Sequence, residues 1–83
     1  MAKISVLQAF NEVLKIAQSK VPGTTKRATL AEAMKRYGAS RATGSDKNRL
    51  RKMLLTASKA PDMPGPEQSI FAYAVIRLGD DDT

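Results

Sequence analysis

Apolar residues recur at helical spacing from the start of the chain. Val6, Leu7, Phe10, Val13, Leu14 and Ala17 fall at i, i+1, i+4, i+7, i+8 and i+11, which is one face of an α-helix. Ser5 and Gln8 stand at capping-box spacing just ahead of that stripe and predict where the helix begins. Its other face carries Gln8, Asn11, Glu12, Lys15 and Ser19, so this helix should lie on a core with its polar side in water. Pro22 and Gly23 predict its end.

The pattern is less regular beyond this point. Thr24 to Ala28 is polar and basic, suited to a loop or a brief extended segment. Thr29 and Glu32 form a second capping-box pair, and Leu30, Ala33, Met34 and Tyr37 share one helical face until Gly38 offers a left-handed stop, predicting a short second helix. A third stripe, Leu50, Met53, Leu54 and Ala57, predicts a third helix with two possible starts. Ser45 can cap it, with Asp46 near the positive end of the helix dipole. Ser40 can cap a longer helix running through Arg41, Thr43 and Gly44, at about 1 kcal/mol for the internal glycine. The Ser40 start leaves the short turn that a helix-turn-helix prefers, and the Ser45 start a longer one.

Pro61, Pro64, Gly65 and Pro66 predict a turn or loop between Ala60 and Gln68. The last apolar segment, Ser69 to Leu78, reads in two ways. Its aromatic and β-branched residues favour a strand with Phe71, Tyr73, Val75 and Arg77 on one face. A helix competes, because Ile70, Phe71, Ala74, Val75 and Leu78 also fit a helical stripe, Pro66 suits a first helical position and Gly79 an end. The composition favours the strand, which would then need Lys3 to Val6, Thr24 to Ala28 or its own copy in a dimer as a pairing partner. The expected fold class is therefore mainly α, a three-helix helix-turn-helix or winged-helix-like domain with a C-terminal β-strand. Only one strand follows the third helix where a wing needs two. Residues 1–79 are expected to form a single nucleic-acid-binding domain, and 80–83 an acidic flexible tail.

Composition narrows the chemistry. The 83 residues contain no Cys and no His, which excludes disulfides, thiolate and imidazole catalysis and the usual zinc sites. No Gly-rich phosphate loop is present, and no two acids share a helical face at interacting spacing. We therefore expect a non-enzyme with no cofactor, no metal and no small-molecule substrate. The longest apolar run, Ile70 to Ile76, is too short to span a bilayer, and the expectation is a cytoplasmic protein with no membrane partner.

Charge placement supplies the functional reading. The chain carries a formal +6, but residues 26–59 hold ten Lys and Arg against Glu32 and Asp46, a local +8 that leaves −2 for the remainder. Such a concentration suits a polyanion, because each cation that meets a phosphate releases a condensed counterion. On the third helix, about 45–59, Ser45, Asn48, Lys52 and Lys59 lie opposite the core stripe, with Arg49 and Arg51 on the flanks. Residues near the N-terminus of a helix in the major groove usually meet bases, so Ser45, Asn48, Arg49 and Lys52 are the candidate base contacts. Lys26, Arg27, Lys35, Arg36, Arg41, Lys47, Arg51 and Lys59 are the candidate backbone contacts. The competing explanation is a solvated helix face. Against it, no acid appears between Asp46 and Asp62, whereas solvated faces tend to mix signs.

Leu55 falls on the outward side of the third helix, and with Phe71 and Tyr73 it forms the candidate set for dimer or partner contacts. For Phe71 and Tyr73 burial in the core is the stronger reading. The expected function is a small regulator binding double-stranded DNA as a homodimer. The alternative is a basic protein-interaction module, an inhibitor or adaptor of the kind found in mobile elements, docking on an acidic partner. RNA stays open as a target, although the basic stretch lacks the interleaved aromatics of single-strand binders.

Overall fold

A computed structural model describes residues 4–40 and 42–80, apart from the side chains of residues 79 and 80. Four helices account for most of them: α1 (Val6–Gln18), α2 (Gly23–Ala39), α3 (Gly44–Ser58) and α4 (Gly65–Asp80). The described residues contain no strand. The mainly α expectation therefore stands, whereas the three-helix domain with a C-terminal β-strand, and the winged-helix form of it, do not.

α1 starts as its sequence predicts. Ser5 Oγ accepts from the Gln8 backbone N–H at 3.1 Å, and the Ser5 N–H donates to Gln8 Oε1 at 3.1 Å, closing the capping box. The helix stops at Gln18, ahead of the proline. α2 then begins at Gly23 rather than at Thr29, so Thr24 to Ala28 are helical and Thr29 and Glu32 lie within the helix instead of capping it. Lys26 explains the earlier start. It sits one turn ahead of Leu30 on the same face, half-buried, and its Nζ donates to the Ala17 carbonyl at 2.9 Å. An ammonium there satisfies an open carbonyl at the end of α1 and meets the negative end of its dipole. Gly38 lies inside α2, which ends with Ser40 as the C-cap residue.

Neither expected start of α3 is used. Thr43 caps it, its Oγ1 accepting from the Asp46 N–H at 3.1 Å, while Ser40 closes α2 and Ser45 lies in the first turn of α3. The helix begins at Gly44, so glycine stands at the first helical position and not in the interior. After the turn at 59–64, α4 occupies the segment whose composition favoured a strand. Ile70, Phe71, Ala74 and Leu78 are all buried, and their spacing is a helical stripe. A lone strand would have left its backbone groups unpaired; a helix satisfies them within itself. α4 also reaches Asp80, one residue into the expected tail, while 81–83 lie outside the described residues.

All four helices contribute to one apolar cluster: Ala9, Val13 and Ala17 from α1, Leu30, Ala33, Met34 and Tyr37 from α2, Leu50 and Leu54 from α3, and the α4 stripe. The Phe10 ring, at the edge of this cluster, lies 5.8 Å from that of Phe71 in a tilted arrangement. α1 and α4 pack against each other and against both remaining helices, but α2 and α3 do not pack on one another among the described residues. α1 and α4 therefore occupy the middle of the bundle with α2 and α3 on its two flanks. No helix among the described residues is long and apolar enough to cross a membrane.

Candidate nucleic-acid interface

α3 owes its exposed face to its position on a flank. Leu50 and Leu54 are fully buried against the middle pair, which turns Ser45, Asn48, Arg49 and Lys52 outward. These four candidate base contacts are exposed and together line one shallow depression, with no acidic side chain among its lining residues. Asn48 Oδ1 accepts from Arg51 Nη1 at 2.7 Å. This orients the amide, and an i, i+3 contact on an exposed helix face is worth only a few tenths of a kcal/mol, so a base edge can displace it. Lys59 lies further along the same side and is also exposed, at the C-cap of α3.

The candidate backbone contacts do not gather around this depression. Lys26 is held by the Ala17 carbonyl. Arg36 pairs with Glu12 of α1, Nη2 to Oε1 at 2.9 Å, with the two side chains 59% and 41% exposed. Such a surface pair contributes little to stability but occupies the guanidinium. Arg27 and Lys35 are exposed on α2, on the other flank of the bundle. Lys47 and Arg51 are half-buried on α3. Arg41 lies outside the described residues. The +8 stretch is thus divided between two helices that do not pack along one another, and only its α3 part surrounds the depression.

Of the candidate partner contacts, Leu55 is 41% exposed on α3 and Tyr73 is half-buried on α4. Phe71 is fully buried, so it is a core residue and not a contact.

Two features escaped the sequence reading. The first is Tyr37, whose side chain is buried at the end of α2 and whose hydroxyl has no hydrogen-bond partner among the described residues. Its ionisation is pushed above the ordinary tyrosine value, chiefly by burial and then by the Asp46 carboxylate, with the Arg49 guanidinium acting the other way. Asp46 and Arg49 also line a shallow depression with Ser5, Val6 and Leu7, at the end of the bundle where α1 and α3 begin. The second is an apolar trough on the other side of Lys52, lined by Phe10, Lys52, Met53, Thr56, Ala57 and Ala60. Only knowledge of how α1 and α3 pack could have brought Phe10 beside Met53. No group of His, Cys, Asp or Glu among the described residues is arranged to hold a metal ion.

Comparison with known proteins yields no match to a family model, to a curated protein or to a solved structure.

Proposed function

We propose that this protein is a small DNA-binding module whose α3 enters the major groove of a duplex. The observation that carries the reading is the joint exposure of Ser45, Asn48, Arg49 and Lys52 around one acid-free depression. An α-helix with its side chains is about 10–12 Å across, and the major groove is about 12 Å wide. In this reading Arg49 pairs with a guanine edge, Asn48 with an adenine edge, and Ser45 and Lys52 contact neighbouring acceptors, while Lys59 holds a phosphate about two turns of helix further on. The helix is presented by a bundle of four helices, with no strand among the described residues to form a wing. The role that follows is non-catalytic and regulatory, exercised in the cytoplasm, with two copies on adjacent half-sites supplying the affinity that one small module lacks.

Fluorescence anisotropy on a labelled duplex library, followed by measurement on the selected site and its single-base variants, tests the reading. Arg49→Ala and Asn48→Ala should each cost about 1–3 kcal/mol and relax the preference at one base position. Lys59→Ala should weaken all sites alike. Equal losses for all three across every site would remove the distinction between readers and anchors, and no binding at low salt would remove the function.

A further inference from the structure

The trough between α1 and α3 is unlike the rest of the surface. Its volume is about 410 Å³, and it is open to solvent. Phe10 and Met53 are half-buried, and the Phe10 ring is braced by the core through Phe71. Ala57 and Ala60 are small and keep the trough concave. Lys52 is the one charged side chain lining it, and no acid does. Leu7, one helical turn from Phe10 on α1, is 65% exposed and extends the apolar surface toward the start of the bundle. Arg49, one turn from Lys52 on α3, extends the basic edge in the same direction.

We infer that this trough docks an amphipathic helix of a partner protein, with its apolar stripe on Phe10, Met53 and Ala57 and its acidic edge against Lys52 and Arg49. Both walls are helices whose backbone groups are satisfied internally, so an extended strand would gain no main-chain hydrogen bonds here, whereas a helix laid in a groove needs none. Charge selects the occupant's sign. The trough itself is lined by one cation and no acid, and at its extension the exposed Arg49 stands beside the half-buried Asp46, so on a chain of net +6 an acidic helix is attracted and a second copy of this chain in the trough is disfavoured. Nucleic acid is disfavoured by the same floor, because a phosphate backbone gains nothing from Met53 and alanine side chains.

Lys52 gives the site a consequence. It lines both this trough and the depression that also holds Ser45, Asn48 and Arg49. A helix seated in the trough therefore takes up a cation of the duplex-binding face, and the acidic partner and the duplex exclude one another. The docking stands independently of DNA binding; the exclusion rests on the function proposed above.

The test uses the full chain, isotopically labelled for backbone amide NMR, with a synthetic 18-residue helical peptide carrying a leucine stripe and glutamates elsewhere. Controls are a scrambled peptide of the same composition and a version with lysine for every glutamate. The expected result is saturable shifts of the Phe10, Met53, Ala57 and Ala60 amides by the acidic peptide, with at least tenfold weaker binding of both controls. Met53→Gln should weaken the peptide at least fivefold and leave duplex affinity unchanged, whereas Lys52→Ala should weaken both. The acidic peptide should also displace a labelled duplex in proportion to its occupancy. Equal binding of the scrambled or lysine peptide overturns the proposal, as do shifts centred elsewhere, such as on Tyr73 and Ile76. Concentration-dependent shifts of the trough amides without any peptide would give the trough to a second copy, and shifts there caused by duplex alone would give it to DNA. Peptide binding without duplex binding would leave the docking intact and end the DNA reading; duplex binding without peptide binding would do the reverse.

Discussion

Tyr37 is where a single residue most clearly sets a measurable property of this protein. Its ring belongs to the core, but its hydroxyl is buried without a partner among the described residues, within electrostatic reach of Asp46 and Arg49. A buried donor left unpaired costs stability, so removing it should cost nothing and can help. We expect Tyr37→Phe to leave stability unchanged or raise it by up to about 1 kcal/mol, measured by denaturant unfolding at neutral pH. A loss of more than about 1 kcal/mol would mean that the hydroxyl is satisfied in solution. The variant also has a pH signature. Folding holds the Tyr37 proton more tightly than the unfolded chain does, so the contribution of this group is complete below the ordinary tyrosine value of 10.0 and is lost as pH rises through that value toward the higher folded one. The wild type should lose stability above pH 10, and Tyr37→Phe should lose less over the same interval. Other single residues were legible beforehand, the Ser5 and Gln8 capping pair above all, because a cap depends only on neighbours three positions away. Thr43 was legible too in principle, since Thr43 and Asp46 repeat that spacing. It was obscured by Ser40 and Ser45, two equally good capping residues on either side.

The helices divide by how much of each is decided locally. α1 has a strong stripe and its own cap, and its start was readable from sequence. α2 starts earlier than its local signals suggested because a contact with another element, the Lys26 ammonium on the end of α1, holds its first turn. α4 was the hardest, since Ile70, Phe71, Tyr73, Val75 and Ile76 have the composition of a strand, and the stripe at i, i+1, i+4 and i+8 decides only once there is a surface to receive it. That surface is the groove between the flanking helices and α1, where Phe71 is covered on all sides. Ala72, exposed on the outer face of α4, tests the assignment without disturbing the core. Ala72→Gly should lower stability by about 1 kcal/mol, a fall of about 4–8 °C in melting temperature for a domain of this size. Ala72→Pro should cost about 3 kcal/mol or more and reduce the far-ultraviolet helix signal, because it removes a donor and crowds the preceding turn. A proline accepted at this position with no loss of stability would be incompatible with a helix running from Gly65 to Asp80.

At the scale of the whole molecule, the packing order changes what the charge pattern means. In the sequence, the cations of residues 26–59 form one block, and a linear reading gives all of them to one surface. In the bundle α2 and α3 meet only where the end of α2, at Tyr37, comes near the start of α3, so Arg27 and Lys35 face solvent on one flank while Arg49, Lys52 and Lys59 do so on the other. A straight duplex lying along α3 is met by the second group and not by the first. Two double variants separate these surfaces at equal net charge, since each removes two cations. Arg49→Ala with Lys52→Ala should weaken duplex binding at least tenfold, and the slope of log affinity against log salt should become shallower by about 0.9 for each phosphate that the pair no longer neutralises. Arg27→Ala with Lys35→Ala should change affinity less than twofold at the same salt, because distant exposed charges are screened beyond about 10 Å at 0.1 M. Equal losses from the two pairs would mean that the duplex contacts both flanks, through a bend or a second protomer. A larger loss from the α2 pair would move the interface to that helix and leave the α3 depression, with its four exposed polar side chains, as a solvated face.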